Sequence, residues 1–230
     1  SRLALGLSAL VATLFLAALV VGPAPLGIWH GLQALIAGGN GPEVLVMREI
    51  RLPRALLGLM IGGALGLAGA AMQGYLRNPL ADPGLIGVSG SAALGAVLAL
   101  QTGLAATVAL GLPLAALAGA LLGVGLVLAL AGPRGSSLTL ILAGIAISAL
   151  AAALTSLVLN LSPNPFAANE IVFWMMGSLA DRSMTHVAIA APLILLGGVM
   201  LGSLARGLDA LTLGEDAAEA MGVKLTRLRL

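Results

Sequence analysis

The residues able to perform acid–base, nucleophilic or metal chemistry are few in this sequence and lie far apart. The only lysine is Lys224, and there is no G-x-x-x-x-G-K-[ST] phosphate-binding loop, so we expect ATP hydrolysis to take place on another chain. The two histidines, His30 and His186, are joined by no acidic cluster, and there is no cysteine. The sequence therefore predicts no catalytic residue, no metal site, no disulfide and no cofactor bound by this chain.

Three arginines, Arg48, Arg51 and Arg54, lie in one polar stretch between apolar segments. Pro53 suits the first turn of a helix, and the spacing of Arg51 and Arg54 then predicts that they share one helix face. Guanidinium groups form geometrically specific pairs with carboxylates, which makes this face a candidate docking site for an acidic partner. The alternative is a pair of interfacial anchors that extend toward water.

A loop over Arg77–Gly84 contains two prolines and a glycine between two apolar segments. Irregular backbone at membrane depth occurs only where protein or a water-filled path satisfies its polar groups. Asn78 is suited to a turn, and Asp82 to the N-terminus of the next helix. The loop is either part of a translocation path or an ordinary cytoplasmic turn.

A short surface helix is predicted over Leu213–Val223, after the last apolar segment. Thr212 and Glu215 have the spacing of a capping box, and Gly222 is placed to end the helix. Its apolar residues form a strip of a size that fits a groove on a partner. The strip consists of Ala217, Ala218 and Met221. The alternative is a solvated linker helix.

The rest of the chain is strongly apolar: 60% of its 230 residues are hydrophobic, 9% are charged, and the mean hydropathy is +1.10. Soluble domains have about a quarter charged residues, so the solvent of this chain is lipid. Long charge-free windows predict about six transmembrane helices. The predicted helices are Leu3–Val21, Pro53–Leu76, Ile86–Gln101, Thr107–Ala131, Leu138–Leu161 and Thr185–Leu204.

Glycine is frequent, at 32 of 230 residues, and recurs at helical spacing. The ladder of Gly58, Gly62 and Gly66 predicts a helix-packing face, because backbones without a Cβ atom approach closely. The next two predicted helices repeat the pattern at Gly87, Ser91 and Gly95 and at Gly119 and Gly123. Small residues also leave room for a bulky solute in a path, and the two roles are compatible.

The distribution of lysine and arginine predicts a cytoplasmic N-terminus. In this orientation seven basic residues lie inside: Arg2, Arg77, Arg134, Arg206, Lys224, Arg227 and Arg229. Four lie outside: Arg48, Arg51, Arg54 and Arg182. A net charge of +2 is too small to indicate a nucleic-acid partner. Because the sequence begins without Met and ends in a basic stretch, we expect it to be a fragment.

Several long motifs occur together in order: Arg51–Arg54, Gly62–Gln73, Arg77–Gly95, Leu142–Ala146, Trp174–Leu179 and Leu213–Gly222. Through them nearly the whole chain resembles the permease subunits of FecCD-type ABC importers, which carry iron–siderophore complexes, haem and vitamin B12. The resemblance implies an all-α polytopic transmembrane helix bundle with about six of an expected ten spans. It implies one permease domain over 1–230, with spans and loops over 1–206 and a cytoplasmic coupling segment over 207–230.

The resemblance also implies roles for individual residues. Arg51 and Arg54 match arginines that engage acidic residues on a periplasmic binding protein. Asn78 and Leu80 match a cytoplasmic gate beside the translocation path. A second gate of the family falls near Ser136 and Ser137. The helix that couples to the ATPase corresponds to Gly214, Glu215, Asp216, Ala217, Ala218, Glu219, Ala220 and Met221.

The partners implied by the resemblance are a second permease subunit, identical or paralogous, two cytoplasmic ATPases that hold ATP and Mg²⁺, and a periplasmic substrate-binding protein. We therefore predict a multi-pass protein of the bacterial inner membrane that is not itself an enzyme. It would translocate an iron–siderophore or related metal chelate, such as haem or cobalamin, by ATP-driven alternating access. Which chelate is carried stays open at this point.

Two other classes of membrane protein compete with this interpretation. An ion-coupled secondary transporter needs internal repeats and carboxylates within its helices. An intramembrane enzyme needs a paired acid, metal-ligand or nucleophile constellation in the spans. The six predicted helices contain no charged residue in their cores, so the sequence favours the importer over both.

Overall fold

The computed structural model describes residues 2–22, 26–36, 39, 41–132, 136–162 and 165–223. Across these ranges the regular structure is helical, which confirms the all-α prediction. The first part contains α1 (Arg2–Val20), α2 (Ile28–Ile36), α3 (Pro42–Leu45), a π-helical segment (Val46–Arg51) and α4 (Leu52–Leu76). A 3-10 turn (Pro83–Ile86) then leads to α5 (Val88–Gln101), α6 (Leu104–Thr107) and α7 (Gly111–Ala131). The last part contains α8 (Ser137–Asn160), α9 (Pro165–Met175), α10 (Met184–Leu211) and α11 (Glu215–Ala220).

In the described part of the chain, five helical segments are long and apolar enough to cross a membrane. They are α1, the continuous stretch Pro42–Leu76, α7, α8 and α10. The remaining predicted span, Ile86–Gln101, corresponds to α5, whose 14 residues extend only about 21 Å at 1.5 Å per residue. Because the hydrocarbon core of a bilayer is about 30 Å thick, α5 is short for a span. All six predicted apolar helices are present, five of them at spanning length.

The second span begins at Pro42, so the prediction that Pro53 starts it was wrong. Gly41 is the N-cap residue, and Pro42 occupies the first turn, where its missing N–H costs nothing. Pro53 instead lies inside continuous helix, directly after the π-helical segment, in which the Leu52 N–H bonds to the Met47 carbonyl five residues back. A π turn shifts the hydrogen-bond register by one residue, and this relieves the conflict between a proline and the preceding turn.

Two stretches between the predicted spans also contain helices. The stretch after the first span forms α2, on which Trp29 is 76% exposed, and the stretch after Asn160 forms α9. The last span also continues past the predicted end at Leu204, as far as Leu211. The extension of the last span carries Leu211, which is only 3% exposed and therefore packs within the described chain.

One compact unit consists of Ser1–Leu67 and Leu179–Ser203. Its buried cluster combines Leu19 of α1, Ala34 of α2, Met47 of the π-helical segment and Ala55 of α4. Met47 is only 1% exposed, and its sulfur lies 3.5 Å from where a Cβ atom on Gly31 would be. The ends of α1 and α2 are therefore packed against the start of the second span.

A second compact unit consists of Ala68–Ser178 and Leu204–Leu230, and its core is formed by α5, α7 and α8. The α5–α7 contact is made by glycines: a Cβ atom on Gly95 would overlap the Ala115 carbonyl, and one on Gly119 would overlap the Ser91 carbonyl. Gly123 lies against the Ser91 hydroxyl in the same way. This confirms close backbone packing between the third and fourth predicted helices.

The glycine ladder of α4 behaves differently. A Cβ atom on Gly58 would lie 3.7 Å from Leu179, but one on Gly62 or Gly66 would meet nothing within 4 Å among the described residues. The packing role of Gly62 and Gly66 therefore stays a prediction that requires a neighbour outside this part of the chain.

Candidate docking, gate and coupling sites

Arg51 and Arg54, which are predicted to share one helix face, lie in different environments. Arg51 is 6% exposed, and its Nη1 donates to the carbonyls of Leu19 at 3.0 Å and Val20 at 2.7 Å. Arg54 is exposed. The carbonyls at the end of α1 lack partners within their own helix and attract a cation. Arg54 is the accessible member of the predicted docking pair.

Arg48, to which the sequence assigned no separate role, makes a similar contact with α2. Its Nε and Nη2 donate to the carbonyl of Leu35 at 3.1 Å and 2.7 Å. Neither α1 nor α2 has a basic residue in its own last turn. The same is true of α4, α5, α7 and α8, so the sequence carries no signal that distinguishes the ends of α1 and α2.

The predicted gate loop begins where α4 ends in a Schellman motif. The Asn78 N–H donates to the Gln73 carbonyl at 3.2 Å and the Arg77 N–H to the Gly74 carbonyl at 3.4 Å, with Arg77 at a φ of 50°. The Asn78 Oδ1 accepts a 2.9 Å hydrogen bond from the Leu80 N–H. Leu80 is 84% exposed. Asn78 thus shapes a tight turn that presents the Leu80 side chain.

The other end of this loop is fixed against α8. Asp82 caps the 3-10 turn by accepting a 2.7 Å hydrogen bond from the Gly84 N–H, as predicted. Gly87, at a φ of 79°, then starts α5, and a Cβ atom there would lie 2.9 Å from the Gly144 carbonyl and 3.1 Å from the Ser148 hydroxyl. The loop is therefore held between the end of α4 and the middle of α8.

The second predicted gate pair lies at the start of α8. Ser136 is the N-cap residue: its hydroxyl accepts from the Thr139 N–H at 3.2 Å and lies 3.0 Å from the Thr139 hydroxyl. Ser137 is the first residue of the helix. The rest of the preceding turn, including Arg134, lies outside the described residues. The geometry explains Ser136 as a cap, and a gating role for the pair stays a prediction.

The predicted coupling helix is present as α11, but its N-terminal cap differs. Gly214 is the N-cap residue with no side-chain hydrogen bond, and the Thr212 hydroxyl donates to the Asp209 carbonyl at 2.6 Å, so the capping-box prediction was wrong. The cause is that α10 extends to Leu211, so the Thr212 hydroxyl bonds to a carbonyl in its last turn. At the other terminus Gly222, at a φ of 83°, ends the helix as predicted, with Val223 N–H bonded to the Ala218 carbonyl at 3.0 Å.

The apolar strip of the predicted coupling helix contains both buried and exposed residues. Ala218 is fully buried at 0% exposure, so it packs within the described chain. Met221 is 56% exposed, and Leu213, just before the helix, is 71% exposed. The surface available to a partner is therefore formed by Leu213 and Met221, not by Ala218.

Sequence reasoning also missed a cap at the start of α10. The Nδ1 of His186 accepts from the Ser183 N–H at 3.2 Å and lies 3.1 Å from the Ser183 hydroxyl. A polar residue three positions after an N-cap serine is the pattern that indicates such a cap. Among the described residues, no group of three or more His, Cys, Asp or Glu is arranged to hold a metal ion.

A groove of about 510 Å³ lies between α5, α7 and α8. It is lined by leucine, alanine, glycine and isoleucine residues, and its polar lining residues are Ser91 and Thr102. The Thr102 hydroxyl already bonds to the Leu98 carbonyl at 2.7 Å. The groove has no charged group with which to recognise an ionic solute.

Comparisons with known proteins found several relatives. A model of the FecCD transport family matches residues 10–230. The chain is 36% identical over 214 residues to the ferric enterobactin transport system permease protein FepD of Escherichia coli, covering 92% of this chain and 64% of FepD. It is 38% identical over 189 residues to the cobalamin import system permease protein BtuC of Halobacterium salinarum, covering 80% of this chain and 50% of BtuC. The chain therefore spans less than two thirds of the length of these curated relatives.

A solved structure is also similar: a metal-chelate type ABC transporter in an inward-facing conformation, with a TM-score of 0.85 and 32% sequence identity. The match covers 99% of this chain and 70% of the other.

Proposed function

Because the chain belongs to the FecCD transport family, we propose that it forms part of the membrane-spanning permease of a binding-protein-dependent ABC importer. The substrate is a bulky metal chelate. The observation that carries this proposal is the family match over 10–230, which includes the last span and the coupling helix. ATP and Mg²⁺ would be held by a separate ATPase, and the permease would supply the path.

The structure supports a specific route from the ATPase to the gate loop. The ATPase would bind the surface formed by Leu213 and Met221 next to α11. The preceding end of α10 contacts the end of α4, because a Cβ atom on Gly74 would lie 3.8 Å from the Cβ of Leu208. Gly74 belongs to the Schellman motif from which the gate loop starts. Movement of α11 would therefore be passed through Leu208 and Gly74 to Asn78 and Leu80.

On the opposite side, a ligand-loaded binding protein would dock through the exposed Arg54. We place this residue outside and the N-terminus, the gate loop and α11 in the cytoplasm, following the excess of basic residues there. Docking would select the substrate, while the apolar helices would release it easily. This arrangement suits alternating access in a bacterial inner membrane with a second permease subunit, two ATPases and one binding protein.

The names of two relatives support this substrate class. FepD is named for ferric enterobactin and BtuC for cobalamin, both bulky metal complexes. We propose a substrate of this class, and the binding protein distinguishes its members.

The test is uptake by the full-length protein, reconstituted into proteoliposomes with its co-purified ATPase and binding protein. Radiolabelled ferric enterobactin and cobalamin serve as probes, with ATP, a non-hydrolysable ATP analogue or an ion gradient as the energy source. The proposal predicts uptake only with ATP and the binding protein. Uptake driven by the ion gradient without ATP would instead establish the secondary transporter.

A further inference from the structure

The C-terminal ends of α1 and α2 both lack a basic residue of their own. The last four carbonyls of a helix have no partner within it, and the aligned peptide dipoles make that end negative. Neither helix carries a basic residue in its last turn. Each instead receives a guanidinium from the same six-residue π-helical segment, Val46–Arg51.

The two contacts are strong by geometry. Arg48 holds the Leu35 carbonyl with two donors, and Arg51 bridges the Leu19 and Val20 carbonyls with one nitrogen. Arg51 is nearly as buried as the core around it, and charged hydrogen bonds strengthen where water is excluded. Arginine suits this role because it is always charged and presents several donors in a planar fork.

A glycine at the end of α1 provides independent support. A Cβ atom on Gly22 would lie 3.1 Å from Nη2 of Arg51 and 3.2 Å from its Cζ. These distances are tighter than an ordinary van der Waals contact, so the guanidinium would have to shift by a few tenths of an ångström to accommodate a larger residue. Glycine at position 22 therefore leaves space for the Arg51 guanidinium beside the end of α1, which Arg51 caps.

We propose that Arg48 and Arg51 are positioning residues, which fasten the π-helical segment to the ends of α2 and α1 and so fix the direction of the exposed Arg54. This inference rests on the proposed docking function and deepens it. It assigns the direct contact with an acidic partner to Arg54 and an indirect role to the buried Arg51. Two of the three arginines in this outside stretch are then accounted for by the fold itself.

Ionic strength separates a direct charge contact from a positioning effect. An exposed ion pair between partners is screened by salt, whereas a guanidinium buried among carbonyls is screened much less. The experiment measures the Kd of the co-purified binding protein for the full transporter in nanodiscs at several salt concentrations. Variants Arg54→Gln, Arg51→Gln and Arg48→Gln are compared with the parent protein.

Arg54→Gln should weaken binding and flatten its dependence on salt. Arg51→Gln and Arg48→Gln should weaken binding by about tenfold, the scale of a lost charged hydrogen bond, while the salt dependence stays that of the parent. Gly22→Ala should weaken binding in the same direction as Arg51→Gln but by less, without altering any charge. Gly6→Ala, where a Cβ atom meets nothing within 4 Å among the described residues, is its matched control.

Amide hydrogen exchange provides a measurement that needs no binding protein. Arg51→Gln should speed exchange at the end of α1, where the Val21 N–H bonds to the Ala17 carbonyl at 2.8 Å, and Arg48→Gln should do so at the end of α2. Arg54→Gln should change neither. If Arg51→Gln flattens the salt dependence and leaves exchange unchanged, Arg51 docks directly and the inference is overturned.

Faster exchange with unchanged Kd would also overturn it, because the caps would then not affect docking. If the parent protein binds no partner, the docking function fails, and with it the positioning role that depends on docking. The exchange data then still decide whether the caps exist.

Discussion

Gly119 in the middle of α7 lies directly against the carbonyl oxygen of Ser91 in α5, leaving no space for a Cβ atom. The contact joins the short helix α5 to a full-length span. We expect Gly119→Ala to destabilise the protein by about 1–3 kcal/mol, since overpacking forces the helices apart. Gly125→Ala on the same helix is the matched control, because a Cβ atom there meets nothing within 4 Å in the described structure.

Thermal unfolding of the two variants in detergent, followed by loss of the monodisperse peak in size-exclusion chromatography, measures the difference. Gly125→Ala should be neutral or stabilising by up to about 1 kcal/mol, the helix-propensity advantage of alanine. Equal unfolding temperatures for the two variants would contradict the close α5–α7 packing.

The second prediction concerns the surface formed by Leu213 and Met221 next to α11. Met221→Asp should reduce co-purification of the ATPase by about tenfold or more, as expected when a central apolar contact is lost, and leave the permease folded. Glu219→Gln, an exposed change on the same helix, should have no effect. Quantitative mass spectrometry of the pulled-down complex measures the ratio of the two subunits.

Ala218→Asp should act differently from Met221→Asp. Because Ala218 is fully buried, a carboxylate there lacks water and a partner and should lower the yield of folded permease itself. A variant that folds normally but loses the ATPase would show that Ala218, not Met221, faces the partner.

The third prediction concerns Asn78 in the predicted gate loop. Asn78→Ala removes the acceptor for the Leu80 N–H, which costs about 1 kcal/mol and loosens the turn. Asn78→Asp keeps a side-chain oxygen at that position. We expect uptake in proteoliposomes to fall several-fold with alanine and to be largely retained with aspartate, at unchanged ATPase co-purification. Equal uptake by both variants would exclude a role for this turn.

Membrane topology provides a fourth prediction, made clean by the absence of cysteine from the sequence. Single cysteines at four exposed positions should react with an impermeant maleimide from one side only. The positions are Trp29, Leu80, Leu161 and Met221. Trp29→Cys and Leu161→Cys should label from outside, and Leu80→Cys and Met221→Cys from the cytoplasm. If Leu80→Cys and Met221→Cys label from opposite sides, α5 does not cross the membrane.

The spans were predictable from the sequence because long charge-free windows leave no alternative to helices in lipid. Their polar ends were less predictable. A proline pattern placed the second helix start at Pro53, whereas Pro42 begins it, since a π turn accommodates the later proline. Thr212 was expected to cap α11, but its hydroxyl donates to the Asp209 carbonyl at the end of α10.

The environment of Arg51 was beyond sequence reasoning for a physical reason. Its partners, Leu19 and Val20, are more than 30 positions away, and only the tertiary packing of α1 against the π-helical segment brings them together. The same holds for Gly119 and Gly62, which have identical local patterns but opposite surroundings. Motif spacing identified candidate residues. Only the structure distinguishes those that pack within the chain from those that stay exposed and available to a partner.

We have proposed that this chain forms part of the permease of an ATP-driven importer. The most direct measurement is a pull-down of the tagged full-length protein from native membranes, with partners identified and counted by mass spectrometry. We predict a nucleotide-binding ATPase subunit recovered in equal number with the permease, and a periplasmic binding protein recovered after crosslinking. Recovery of the permease alone, under conditions in which other ABC transporters stay intact, would contradict the account.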